Sequence, residues 1–203
     1  MLNVLRRAWA QHQLTDPRYA VLFDEPADEL VSFDCETTSL NVRKAEILSI
    51  GAVKIRNNTI VTSESLYVIV KPEGIMEANN VKIHGLRPRD VSQGIPVADA
   101  IYRLLDFIGG RPLVGYYLEY DIKVINKFLQ PLIGIGLPNR AIEVSGIYHD
   151  QELKHHQDGY VDLKMASIIE TLQLPDLPRH DALNDAINVA LMYLMLQARG
   201  KKN

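Results

Sequence analysis

Residues Ser32 to Leu40 read Ser-Phe-Asp-Cys-Glu-Thr-Thr-Ser-Leu, and this stretch decides the reading of the chain. It closes an apolar run, "ELVSFD", that has strand character. In a strand, residues two apart share a face. Val31, Phe33 and Cys35 therefore point one way, and Ser32, Asp34 and Glu36 the other. Asp34 and Glu36 project together as like charges, which repel unless a cation or a proton compensates. Two acids alone also suit a solvated strand end.

Downstream, "AEILSIGAVKIRNNTIVTSESLYVIVKP" predicts two longer strands, Ile47–Ile55 and Thr59–Val70. Asn57-Asn58 supplies the turn, because Asn tolerates positive φ. The fold thus begins as an antiparallel three-stranded meander. "NNVKIHGL" suits a short helix. Further on, "VADAIYRLLDFIGG" is an amphipathic helix stopped by Gly109-Gly110. "PLVGYY" is a short strand, "EYDIKVINKFLQPLI" a helix and "AIEVSGIY" another strand. "HDQELKHHQDGY" reads as a polar loop, "VDLKMASIIETLQL" as a helix and "HDALNDAINVALMYLMLQARG" as a long final helix. Three strands followed by alternating helix and strand predict an α/β fold with a mixed sheet.

The final helix carries a stripe of Ala182, Asp185, Val189, Met192 and Leu196, and its neighbouring stripe is apolar too. Such a helix is largely buried. Its carboxylate then needs a basic partner, water at the first turn, or a metal. Asp121 repeats the pattern with Val124, Ile125 and Phe128, although the helix dipole also favours an acid in a first turn. Glu119 competes in that turn, but its stripe leads to polar Lys123. Hard oxygen donors from three segments select Mg²⁺ or Mn²⁺ over zinc, and four carboxylates suffice for two such ions. His180 stands five residues before Asp185, which is not one helical face. It is expected just ahead of the helix, swinging in from the connector. His155 and His156 read as solvated.

The bulk properties are compatible with this. The 203 residues suit one domain, 47% of them are apolar, and the net charge is −3. No global positive field exists to attract long duplexes, so nucleic acid would have to bind at a local site. A single cysteine excludes an internal disulfide framework and fits a reducing, cytoplasmic setting. No run reaches transmembrane length. Residues 1–28 read as a helical extension belonging to the mature chain, with Asp16 and Pro17 restarting a helix. Residues 29–203 read as the main domain. Trp9, Tyr19 and Phe23 of the extension suit docking to a second copy, to a polymerase or to the chain's own core.

Together the motifs resemble the DEDD 3′–5′ exonucleases. "FDCETTSL" is similar to their first motif, Asp-x-Glu followed by Thr. Asp121 in "GYYLEYDIKVINKFL" resembles the second, and "RHDALNDA" the third in its His-x4-Asp form, the DEDDh branch. That branch includes the proofreading epsilon subunit of bacterial DNA polymerase III and RNase T-like enzymes. "KIHGL", Lys82 to Leu86, matches a further family segment, and the resemblance spans about residues 29–196. It departs from the pattern where the family has His-Asn and Phe around the second motif; this chain has Tyr116-Tyr117 and Tyr120. A family Asp-Thr near the fifth strand is replaced by "IEVSGIY".

The resemblance implies a ribonuclease H-like fold, a five-stranded mixed sheet flanked by helices. It implies a metal-dependent 3′–5′ exonuclease that acts on single-stranded nucleic acid, DNA favoured, and releases 5′-mononucleotides. Asp34, Glu36, Asp121 and Asp185 would hold two Mg²⁺ or Mn²⁺ ions, with His180 as general base. Thr37, Leu40 and His84 would contact the terminal nucleotide, with a capping or turn role for Thr37 and a core position for Leu40 as the structural alternatives. Tyr116, Tyr117 and Tyr120 suit either base stacking or simple packing. Alternative readings are an RNA or short-oligoribonucleotide exonuclease, or a non-catalytic binding module on the same fold. Expected partners are nucleic acid 3′ ends and, through the extension, a polymerase or a second copy.

Overall fold

A computed structural model describes residues 2–74, 85–155, 160–175 and 177–201, with the side chains of 2–6, 88 and 155 left out. His84, His156 and the short helix expected near "NNVKIHGL" lie outside the described residues, as does the side chain of His155. The elements are α1 (Leu2–Gln13), a 3₁₀ helix (Pro17–Phe23), β1 (Glu29–Thr37), β2 (Ile47–Arg56), β3 (Thr59–Ile69), α2 (Pro88–Ser92), α3 (Val97–Ile108), β4 (Leu113–Gly115), α4 (Leu118–Ile133), β5 (Ala141–Glu143), α5 (Val144–His155), α6 (Met165–Thr171) and α7 (Ala182–Gly200).

The described strands form one sheet in the order β3-β2-β1-β4-β5. The first three pair antiparallel, while β1–β4 and β4–β5 are parallel, so the sheet is mixed. Asn57 and Asn58 both adopt left-handed conformations, φ 49° and 59°, which closes the tight turn between β2 and β3. Each face of the sheet has its own core. Val31, Phe33 and Cys35 join Ile101, Leu104 and Leu105 of α3 and Val124, Ile125 and Leu129 of α4 on one side. Val53, Ile55 and Val114 meet Val189, Met192 and Leu196 of α7 on the other. The alternation expected along β1 is therefore realised: Ser32, Asp34 and Glu36 face the α7 layer.

The N-terminal segment packs on its own chain. Tyr19 and Leu22 are buried in the α3/α4-side core, and Arg7 donates to the Phe23 carbonyl. Thr15 N–H donates to the Ile133 carbonyl at 2.9 Å. Asp16 caps the 3₁₀ helix, with Pro17 in its first turn. Trp9 remains exposed.

Two segments differ from the sequence reading. The strand expected through Tyr148 ends at Glu143, and the expected polar loop is largely helix α5. The cause is that Val144 and Tyr148, four apart, are buried together, and Glu143 accepts the Ser145 N–H to start a helix at once. Gln151 donates to the Leu196 carbonyl and Glu152 pairs with Arg199, which fixes the polar remainder on α7. Helix α6 is shorter than expected, because Asp162 takes the Lys164 N–H and the Ser167 hydroxyl and sets a later start.

Candidate active site

The strand β1 delivers the first two carboxylates and then stops. Its register with β2 shifts between Glu36 and Thr37, a bulge that ends regular pairing immediately after Glu36. Opposite Asp34 on β2 stands Gly51. A Cβ there would lie 2.1 Å from the Ala182 carbonyl carbon and 2.2 Å from the Leu183 nitrogen. The missing side chain lets the first turn of α7 lie directly on the sheet, which brings Asp185 towards Asp34. Sequence reading passed over Gly51; its signal was a glycine inside an apolar strand, a sign of close backbone approach.

The start of α7 is fixed by two acids. Asp181 is the cap and accepts the Asn184 N–H at 3.0 Å. Asp185 Oδ2 accepts the backbone N–H of His180 at 2.9 Å. His180 adopts φ 65°, so the connector turns sharply before the helix, as the five-residue spacing required. Asp121, in the first turn of α4, is buried, whereas its competitor Glu119 pairs with Lys123 on the surface.

Asp34, Glu36, Asp121, His180 and Asp185 all line one cleft of about 1030 Å³. Donor atoms of Glu36, His180 and Asp185 lie within 4.8 Å of one another. Burial raises the carboxyl of Asp34 well above the usual carboxylate range, and Asp121, Glu36 and Asp185 push it further. Asp34 keeps a partly exposed face towards the cleft although protein atoms ring it closely. Burial likewise pushes Asp121 to about 8, against opposing backbone N–H groups of Cys35 and of Asp121 itself. Glu36 rises to about 7 through burial and the nearby Asp185 and Asp181. Asp185 is also raised, mainly by burial, with the His180 N–H opposing.

These residues fit a hard divalent cation. They supply oxygen donors and an imidazole, and their charged forms are disfavoured until a positive charge arrives. Asp185 Oδ1 is buried without a hydrogen-bond partner among the described residues, and the nearby Asn188 amide opposes the rise of its carboxyl. Cys35 points into the core, and burial raises its thiol well above the ordinary range, which suits a structural role.

The remaining candidates divide. Tyr120 Oη donates to the Ser39 carbonyl at 2.5 Å and sits 2.6 Å from Thr37 Oγ1, so both hydroxyls tie the loop after β1 to α4. Leu40, at the tip of that loop, is 88% exposed and lines the cleft; a core position for it is excluded. Tyr116 packs beside the α7-side core and donates to the Leu163 carbonyl at 2.6 Å, a packing role. Tyr117 is exposed at the cleft. Sequence reading also missed Glu143. Its carboxylate accepts N–H groups from Tyr117 and Leu118 at the start of α4, and from Ser145 at the start of α5. It braces two helix N-termini at once, a bond pattern with no local sequence signature.

Among the described residues no helix is long and apolar enough to cross a membrane. A sequence model described as "Exonuclease", for the RNase T family, matches residues 31–193. The chain is 28% identical over 171 residues to a DNA polymerase III of PolC type from Caldanaerobacter subterraneus, covering 83% of this chain and 11% of that protein. It is 28% identical over 191 residues to a DNA polymerase III subunit epsilon-like protein from Rhodobacter capsulatus, covering 89% of this chain and 26% of that one. The chain thus spans about a quarter or less of the length of these two relatives. Its fold matches that of E. coli ExoI, solved with zinc and single-stranded DNA, with a TM-score of 0.73 at 13% identity over 87% of this chain and 42% of that one. With the family match covering most of the chain, and the fold and the acidic cleft agreeing with it, this protein belongs to the RNase T exonuclease family and is an exonuclease domain of ribonuclease H-like fold.

Proposed function

We propose that the chain is a metal-dependent 3′–5′ exonuclease that hydrolyses terminal phosphodiesters of single-stranded nucleic acid, DNA favoured, and releases 5′-mononucleotides. The observation that carries this reading is the convergence of four carboxylates and one histidine from β1, α4 and the start of α7 on a single cleft. In this reading Asp34, Glu36, Asp121 and Asp185 hold two Mg²⁺ or Mn²⁺ ions. When bound, such ions supply Lewis acidity to the attacking water and to the departing 3′-oxygen. His180 takes the water's proton as general base; an imidazole suits this near pH 7. Thr37 and Leu40 lie beside the terminal nucleotide, and the Tyr120 hydrogen bonds hold their loop in place for it.

Residues 29–203 carry the chemistry in this proposal, and residues 1–28 form an extension that braces it. The expected setting is the cytoplasm. Association with a polymerase is the partner proposal, supported by the polymerase III names of the relatives. A 5′-labelled oligonucleotide incubated with Mg²⁺, then with chelator, tests the function. A chelator-sensitive ladder shortening from the 3′ end is the expected result; a shifted but intact strand would show a binding module instead. Matched DNA and RNA strands run side by side decide the substrate.

A further inference from the structure

We infer that Tyr117 is a stacking platform for an unpaired nucleobase at the mouth of the cleft, a role that rests on the nuclease reading above. Tyr117 is 57% exposed and lines the same cleft as the carboxylates. Its backbone is left-handed, φ 52° and ψ 34°, a conformation that bulky side chains avoid. The position is the N-cap of α4, yet the tyrosine side chain makes no capping bond. Glu143 does that work instead, taking the Tyr117 N–H at 3.1 Å and the Leu118 N–H at 2.8 Å.

By local rules, Asn would serve better here. It tolerates the left-handed region and caps a helix with its own side chain. The chain instead holds an aromatic ring at a strained position and exposes it. Backbone strain of this kind persists where the surroundings over-determine it and function uses it. The surroundings do so here. The Tyr116 ring lies 4.5 Å away at 60°, and its own hydroxyl is anchored on Leu163. Together with exposed Leu40, Tyr117 gives an acidic cleft two apolar surfaces. Lys164, Arg179 and His180 also line the cleft, and with bound cations they attract the phosphates of a strand but give its terminal base no apolar surface to rest on. An aromatic face provides one, and stacking on it requires a base released from its duplex partner.

The test uses Tyr117→Asn and Tyr117→Gly, both of which accept the backbone conformation, with Tyr117→Phe as the conservative variant. Cleavage is measured on a 5′-labelled single strand with Mg²⁺. Stacking is read in chelator from the fluorescence of a strand carrying 2-aminopurine at its 3′ end. The expected result is a KM raised roughly five- to a hundredfold in the Asn and Gly variants. Their kcat should hold and their quenching should be lost, with both restored in Phe. If the wild type cleaves and the Asn and Gly variants match it in KM and quenching, the inference is overturned while the nuclease reading stands. If no cleavage occurs but quenching depends on Tyr117, the platform stands and the nuclease reading falls.

Discussion

Gly51 and Asp34 face each other across the β1–β2 ladder, and the one lacks a side chain where the other carries a carboxyl group. The backbone of Ala182 and Leu183 occupies the space that any Cβ on Gly51 would need. Gly51→Ala should therefore displace the first turn of α7 together with His180 and Asp185. Overpacking against backbone costs about 1–3 kcal/mol, and the upper part of that range is expected. Thermal unfolding and nuclease rate should fall together. An Ala variant with unchanged melting temperature and activity would show that α7 does not depend on the close approach.

Asp34→Ala should abolish Mg²⁺-dependent release of mononucleotides while leaving the fold intact by circular dichroism. His180→Ala should lower kcat by on the order of 10²–10⁴ with little change in substrate binding, the usual range for losing a general base. Loss of binding with unchanged turnover of bound substrate would assign His180 a different role.

The raised carboxyls give a definite pH dependence in chelator. Free Asp and Glu titrate near 4, whereas Asp121 is held at about 8 and Glu36 at about 7. Between roughly pH 4 and 8 the folded protein binds more protons than the unfolded chain, so stability falls as pH rises through that window. Glu64, held at about 2 by Lys54 and Arg56, titrates outside it. The melting temperature in chelator should be higher at pH 5.5 than at pH 8, and Mg²⁺ or Mn²⁺ should recover the loss at pH 8. A melting temperature that rises from pH 5.5 to 8 in chelator would contradict this.

Tyr120→Phe removes the hydroxyl that joins Thr37 and Ser39 to α4. Each lost hydrogen bond is worth about 1 kcal/mol. The loop carrying Leu40 should loosen, seen as a KM raised several-fold at nearly constant kcat. Equal kinetics in the Phe variant would show that the loop holds its shape without Tyr120.

Glu143→Gln keeps the size of the side chain but removes the negative charge from two helix N-termini. A charge there contributes about 0.3–1 kcal/mol per helix, so for two helices a loss of about 0.6–2 kcal/mol is expected in denaturant melts. A melt indistinguishable from wild type would refute the double-brace role.

Features governed by local periodicity were legible in the sequence. The alternation along Val31–Glu36, the Asn57-Asn58 turn and the α7 stripe each follow from one or two turns of chain, and each is realised. The fourth carboxylate was legible because Asp185 interrupts an otherwise apolar stripe. Helix α5 was not legible, because only Val144, Ile147 and Tyr148 give it an apolar face and its polar remainder is held to α7 by Gln151 and Glu152. Gly51, Glu143 and the Tyr120 hydrogen bonds were missed for a shared reason. Each acts on a segment distant in sequence, and no pattern within the strand or helix reports the partner.

The order in which the chain is made also bears on the cleft. Asp34 and Glu36 leave the ribosome early and Asp121 midway, whereas His180 and Asp185 follow only with α7, which also covers the second face of the sheet. A growing chain contains β1 to β3 and α4 before it contains the complete constellation. Synthesis itself thus delays the assembly of the proposed centre until the helix that completes it has emerged.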